Sequence, residues 1–190
     1  MAGMDEWTRV KWTEAGQVTR LLGWEESAAA EAMRPAEFLA QLRANRRWTP
    51  AIAFLAQALP RFEAVTWAVR FVRDSEPAAG PETPEGVALK SALLWLQDPC
   101  DERRRTAFAA ARAASGAEAM AAMAVFYSGG SVAPANCEPL PAPHHLAGRC
   151  AAAAVTLACV RSAHQERAMM AALEAGVRFA HEDPGGPVAP

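Results

Sequence analysis

Four residues in the second half of the chain, Cys137, His144, His145 and Cys150, are of the types that bind zinc. Six residues separate Cys137 from His144, none separate the two histidines, and four separate His145 from Cys150. Structural zinc sites clamp the ion with close ligand pairs, and two adjacent histidines rarely point at one centre. The pattern therefore predicts no metal, with His144 and His145 as solvated residues at the start of a helix. Cys100 and Cys159 add no CxxC pair. All four cysteines are expected as reduced thiols that act as small hydrophobes.

Ser128-Gly129-Gly130-Ser131 is rich enough in glycine to offer backbone N–H groups to an anion. Phosphate loops normally lead into a helix N-terminus. This one follows a predicted helix and runs into a proline-rich stretch, so Gly129 reads as a helix C-terminal cap. Nucleophilic catalysis needs a Ser or Cys beside a His and an orienting carboxylate. None of the four histidines lies in such a motif. Paired carboxylates of the glycosidase kind need not be close in sequence, and no stretch argues for them.

Two groups of residues are candidates for binding rather than chemistry. Glu63, Trp67, Arg70 and Asp74 recur at helical spacing and share one helix face. A polar patch around an aromatic anchor is how interface hot spots are built, although Trp67 also has the apolar neighbours of a core residue. The second group is Ser128, Gly129, Gly130, Leu140 and Pro141, within a segment 128–143 that holds four prolines and one charge, Glu138. Proline at this density blocks helix and central strand alike, which predicts an extended, partly polyproline II ledge packed on the helices. A partner protein or the bundle itself would cover it. Arg103-Arg104-Arg105 follows Asp101-Glu102 and reads as a solvated, internally neutralised helix face.

The elements that carry these residues are helical. About a quarter of the 190 residues are Ala, the best helix former, and there is one Tyr. Thr13-Glu14 opens a helix that Gly23 closes. Glu25–Met33 is a short helix, and Pro35 begins the next. Thr49-Pro50 and Pro60 open two more, the second lined by Phe62, Val65, Trp67, Val69 and Val72. Residues 75–86 form a linker. Helices follow over 87–96, 98–114 (Asp98 as cap, Gly116 as terminator), 117–127, 144–162 and 165–181. Cys150–Val160 is an uncharged run of eleven residues, too short to span a bilayer, and reads as a buried helix. Trp67 and Trp95 are expected in the core. Trp7, Trp12 and Trp24 either cover the bundle or belong to an interface.

The fold class predicted is all-α: one domain of about nine helices over 13–182, either an irregular bundle or a short α-solenoid. It lies between an N-terminal segment 1–12 and a flexible tail 183–190. The formal net charge of −2 is evenly spread and argues against nucleic acid as a partner. Met1–Trp12 is charged and has no signal-peptide core, which places the protein in the cytoplasm.

The order of several short motifs resembles a family. They are Pro35-Ala36-Glu37-Phe38-Leu39, Phe54-Leu55-Ala56-Gln57-Ala58-Leu59-Pro60-Arg61, and Glu63-Ala64-Val65-Thr66-Trp67-Ala68. After these come Asp98-Pro99 with Arg104-Arg105, Ser128–Pro134, and the proline run into His145-Leu146. Across 13–182 the chain resembles an uncharacterised family of small bacterial cytoplasmic proteins. That resemblance implies a link with type VI secretion gene clusters and brings no catalytic residues. The function expected is a non-enzymatic adaptor or chaperone-like accessory protein that binds another protein, without cofactor, metal or membrane insertion. The alternative is an enzyme or ligand-binding domain whose pocket is built from scattered residues. A deep polar pocket would favour the alternative; an exposed apolar patch would favour the adaptor.

Overall fold

The structure is a computed structural model and describes residues 7–76, 80–134 and 136–181. Ten helices follow in chain order: α1 (Ala15–Leu22), α2 (Ala28–Glu31), α3 (Pro35–Ala44), α4 (Trp48–Ala58), α5 (Arg61–Asp74), α6 (Pro84–Gln97), α7 (Asp101–Ala113), α8 (Gly116–Tyr127), α9 (Leu146–Arg161) and α10 (Gln165–Arg178). Among the described residues no strand forms. Only Ser131 and Pro141 make an isolated antiparallel bridge. The expected tail 183–190 and the first six residues of the N-terminal segment lie outside the described residues.

Local chemistry sets several boundaries. The Gln17 side-chain oxygen accepts from the backbone N–H groups of Thr13 (2.9 Å) and Glu14 (3.2 Å), tying the entry to α1. Gly23 leaves that helix in the left-handed region at φ 73°, where an added Cβ would be strained. Pro35 occupies the first turn of α3, as its missing N–H allows. Thr83 caps α6 by accepting from the Gly86 N–H at 3.2 Å. The linker expected over 75–86 is thus shorter, because Pro84 already belongs to α6. Thr49 is not a cap: α4 starts at Trp48, after Arg47, and Pro50 sits within its first turn. Likewise Asp98 ends α6 and Cys100 precedes α7, two residues beyond the expected start.

Helix α9 is the axis of the molecule. Its buried residues include Ala147, Ala151, Ala154, Val155, Ala158 and Cys159, and its most extensive helix pairing is with α8, which buries Ala117, Ala121, Ala124 and Val125. Alanine at a helix contact keeps the axes near the short end of the usual 8–10 Å or so. Around α9 also lie α4, α5 and α10. A solenoid would restrict each unit to its neighbours in sequence. Here a late helix packs on early ones, so the fold is an irregular bundle, of ten helices among the described residues.

Trp67 of α5 is 1 % exposed and its indole N–H donates to the Ala172 carbonyl of α10 at 3.0 Å. Gly176 allows this approach: a Cβ there would stand 2.7 Å from both Leu55 Cδ2 and Trp67 Cε2. Trp95 is buried too. Phe62, expected in the apolar lining of α5, is instead 46 % exposed and lies against the Trp95 ring. Trp7, Trp12 and Trp24 are half-buried against the core and so cover the bundle.

Candidate functional site

Segment 128–143 leaves α8 and returns to α9 as a closed clasp. Ser128 ends α8, and the positive φ that turns the chain falls at Gly130 (64°), not at Gly129. The expected Gly129 cap is therefore displaced by one residue. The reason is contact: Gly130 lies against the Arg104 guanidinium, and a Cβ there would come within 3.0 Å of it. Beyond the turn the Val132 N–H donates to the Leu140 carbonyl at 2.8 Å. The Ser131 hydroxyl accepts from the N–H groups of Ala133 (3.1 Å) and Leu140 (3.0 Å), so one side chain ties both arms.

Arg104 holds the clasp from beneath. It is 4 % exposed, and its guanidinium donates to the carbonyls of Phe126 and Ser131, each at 2.7 Å. It also pairs with Asp101 one turn earlier and lies over the Phe126 ring at 4.9 Å. Arg105 donates to the Ala133 carbonyl at 3.0 Å. The run Arg103–Arg105 is thus not a uniformly solvated face. A planar guanidinium with five donors is the side chain suited to several carbonyls at once. Asp101 orients both arginines, and its carboxyl is held below the ordinary range by hydrogen bonds from Arg104 and then Arg105. The sequence signal was the Asp-x-x-Arg spacing, an i,i+3 pair on one helix face.

Outward, the clasp presents an apolar stretch at 139–143, next to exposed Asn136 and Glu138. Leu140 is 59 % exposed, and Pro139, Pro141 and Pro143 are exposed beside it, while Ala142 turns inward. Cys137 is an exposed thiol on the same segment. The other candidate group does not form a surface patch. Trp67 is core and Glu63 is nearly buried and paired with Arg9, because their helix face is covered by α10 and residues 7–12; Arg70 and Asp74 are exposed. An aromatic anchor available to a partner is therefore missing there. Arg70 instead lines an open cavity of about 530 Å³ with Arg73, Arg178 and His181.

Beside the clasp lies a cleft of about 460 Å³ between residues 9–12, the end of α4, Arg61, Ser128 and the start of α9. Arg61 donates to the Ser128 carbonyl at 3.4 Å and sits against His144 Nδ1. His144 is exposed and lies in the turn before α9, which begins at Leu146 rather than at 144. His145 makes no side-chain cap bond. Cys137, His144, His145 and Cys150 build no joint site. Among the described residues no group of three or more His, Cys, Asp and Glu is placed to hold a metal ion. Burial pushes the Cys150 thiol up to about 11 and Cys159 to about 12, which keeps both protonated and poorly nucleophilic.

Among the described residues no helix is long and apolar enough to cross a membrane. A model of a family of unknown function, DUF6931, matches residues 38–180, a span that holds the clasp, its arginines and most of the cleft. No curated protein matches the chain, and no solved structure does.

Proposed function

The chain belongs to this family of unknown function, and from that premise we propose that it is a non-enzymatic interaction protein, an adaptor or chaperone-like accessory, that docks another protein on the clasp. The observation that carries this reading is the contrast between the clasp's two sides. Beneath, a buried arginine and a serine hydroxyl fix its backbone; outside, Leu140 and three prolines face solvent. A loop that served only to connect α8 and α9 would not need a buried guanidinium, whose desolvation is costly unless its donors are satisfied. A preformed extended segment loses little entropy on binding, so a partner with an apolar groove for proline-rich chain gains most of the contact energy. The narrower reading, an accessory part of a bacterial type VI secretion apparatus in the cytoplasm, rests on the resemblance and on composition.

The experiment is capture of partners from the host with tagged wild-type protein and tagged Leu140→Asp. The expected outcome is loss of a specific partner at an unchanged melting temperature. Identical partner sets would sink the docking reading.

A second reading, a small-ligand-binding domain, is favoured by the cleft, whose residues come from five separate stretches of the chain.

A further inference from the structure

Taking that second reading as its basis, we infer that the cleft between residues 9–12 and the start of α9 is a binding site for a small organic phosphate that carries a hydroxyl group. Its lining supplies Arg9, Lys11, Arg61 and His144, and no carboxylate. Arg9 is neutralised by Glu63 of α5. Arg61 and Lys11 form no ion pair among the described residues: Arg61 is engaged by the Ser128 carbonyl and His144 Nδ1, and Lys11 stands over the Trp12 ring at 4.5 Å. Two uncompensated cations at one concave site favour a dianion. A phosphate takes a guanidinium in bidentate fashion and an ammonium as a point charge.

The hydroxyl follows from Gln57. This residue is 7 % exposed at the cleft floor, and among the described residues its Oε1 has no hydrogen-bond partner. A buried acceptor left unpaired costs stability, and native proteins rarely keep one without a role. The dianion of a phosphate monoester has no O–H of its own to donate to it, whereas a hydroxyl on the ligand's carbon frame can. Gly148, which lines the same cleft, gives Oε1 its space, since a Cβ there would stand 2.5 Å from it. Leu59, Pro60 and Leu21 supply the apolar wall for the ligand's carbon frame.

The test is calorimetric titration of the full chain with ribose 5-phosphate, methyl phosphate and ribose, each at millimolar concentration and low salt. Ribose 5-phosphate is expected to bind at least about tenfold tighter than methyl phosphate, a difference of about 1.4 kcal/mol. Lys11→Gln with Arg61→Gln should abolish binding of both phosphates, with the melting temperature checking the fold. Gln57→Leu should keep phosphate binding and erase the tenfold preference. Binding of methyl phosphate as tight as the sugar phosphate would overturn the hydroxyl assignment while leaving an anion site. Absence of binding by all three would overturn the phosphate site; binding unchanged in the double variant would overturn this cleft as its place, while the ligand-binding reading would stand.

Discussion

The guanidinium of Arg104 donates to the Ser131 carbonyl at 2.7 Å, joining the first turn of α7 to a loop 27 positions later. The same guanidinium holds the Phe126 carbonyl at the end of α8. One buried side chain therefore sets where α8 stops and which way the proline-rich segment leaves it.

Removing that side chain should loosen the clasp before it unfolds the bundle. Arg104→Ala takes a donor from the Phe126 and Ser131 carbonyls and from Asp101, the last two keeping only Arg105, a loss expected at about 2–3 kcal/mol for charge-assisted bonds. Arg104→Lys should restore little of it, because an ammonium cannot reproduce the planar fork. Urea unfolding gives the first number, and limited proteolysis between 131 and 142 reports the second effect. A variant as stable and as protease-resistant as the wild type would show that the arginine is dispensable.

The two glycines of the turn should respond differently. At Gly130 the backbone has φ 64° and the Arg104 guanidinium fills the space a Cβ would need. Gly130→Ala is expected to cost about 1–3 kcal/mol from left-handed strain and displaced Arg104. At Gly129 nothing lies within 4 Å of an added Cβ and φ is not positive. Gly129→Ala should be neutral or stabilise by up to about 1 kcal/mol through the unfolded chain. Equal effects at both positions, read from unfolding midpoints, would mean that the turn is not held as described.

Acid should weaken the clasp through Asp101. Its carboxyl lies below the ordinary 3.8 in the folded chain, owing first to Arg104 and then to Arg105. In the unfolded chain the group binds a proton at its ordinary value, so at pH just below 3.8 the unfolded state takes up the proton first. The contribution is complete above 3.8 and is lost as pH falls through the folded value. Stability of the wild type should therefore decline more steeply below that point than stability of Asp101→Asn. Parallel declines would remove Asp101 from the account.

Helix content and the apolar core were legible from the sequence because they rest on local signals: alanine richness, apolar spacing, and proline at helix starts such as Pro35. Where polar side chains compete for backbone groups, the signals misplaced boundaries. Asp98 and Thr49 have cap chemistry, yet the helices begin at Asp101 and Trp48. The clasp was visible as a proline-rich break, with Leu140 and Pro141 in it, but its anchor was not. Arg104 reads as one of three surface arginines until the fold brings Phe126 and Ser131 to it, a long-range contact with no periodic trace. The cleft was invisible for the same reason: Lys11, Gln57, Arg61 and His144 meet only in three dimensions. Trp67 was legible as core from its apolar neighbours, whereas its hydrogen bond to the Ala172 carbonyl of α10 left no trace in the sequence.

The central claim is that segment 131–141 is a preformed ledge in the free protein, and amide hydrogen exchange tests it most directly. The Val132 amide, bonded to the Leu140 carbonyl, and the Leu140 amide, bonded to the Ser131 hydroxyl, are the two reporters. Both are expected to exchange far more slowly than in an unstructured peptide of the same sequence. Exchange of both at the peptide's rate, with α8 and α9 still protected, would contradict the ledge and the docking function built on it.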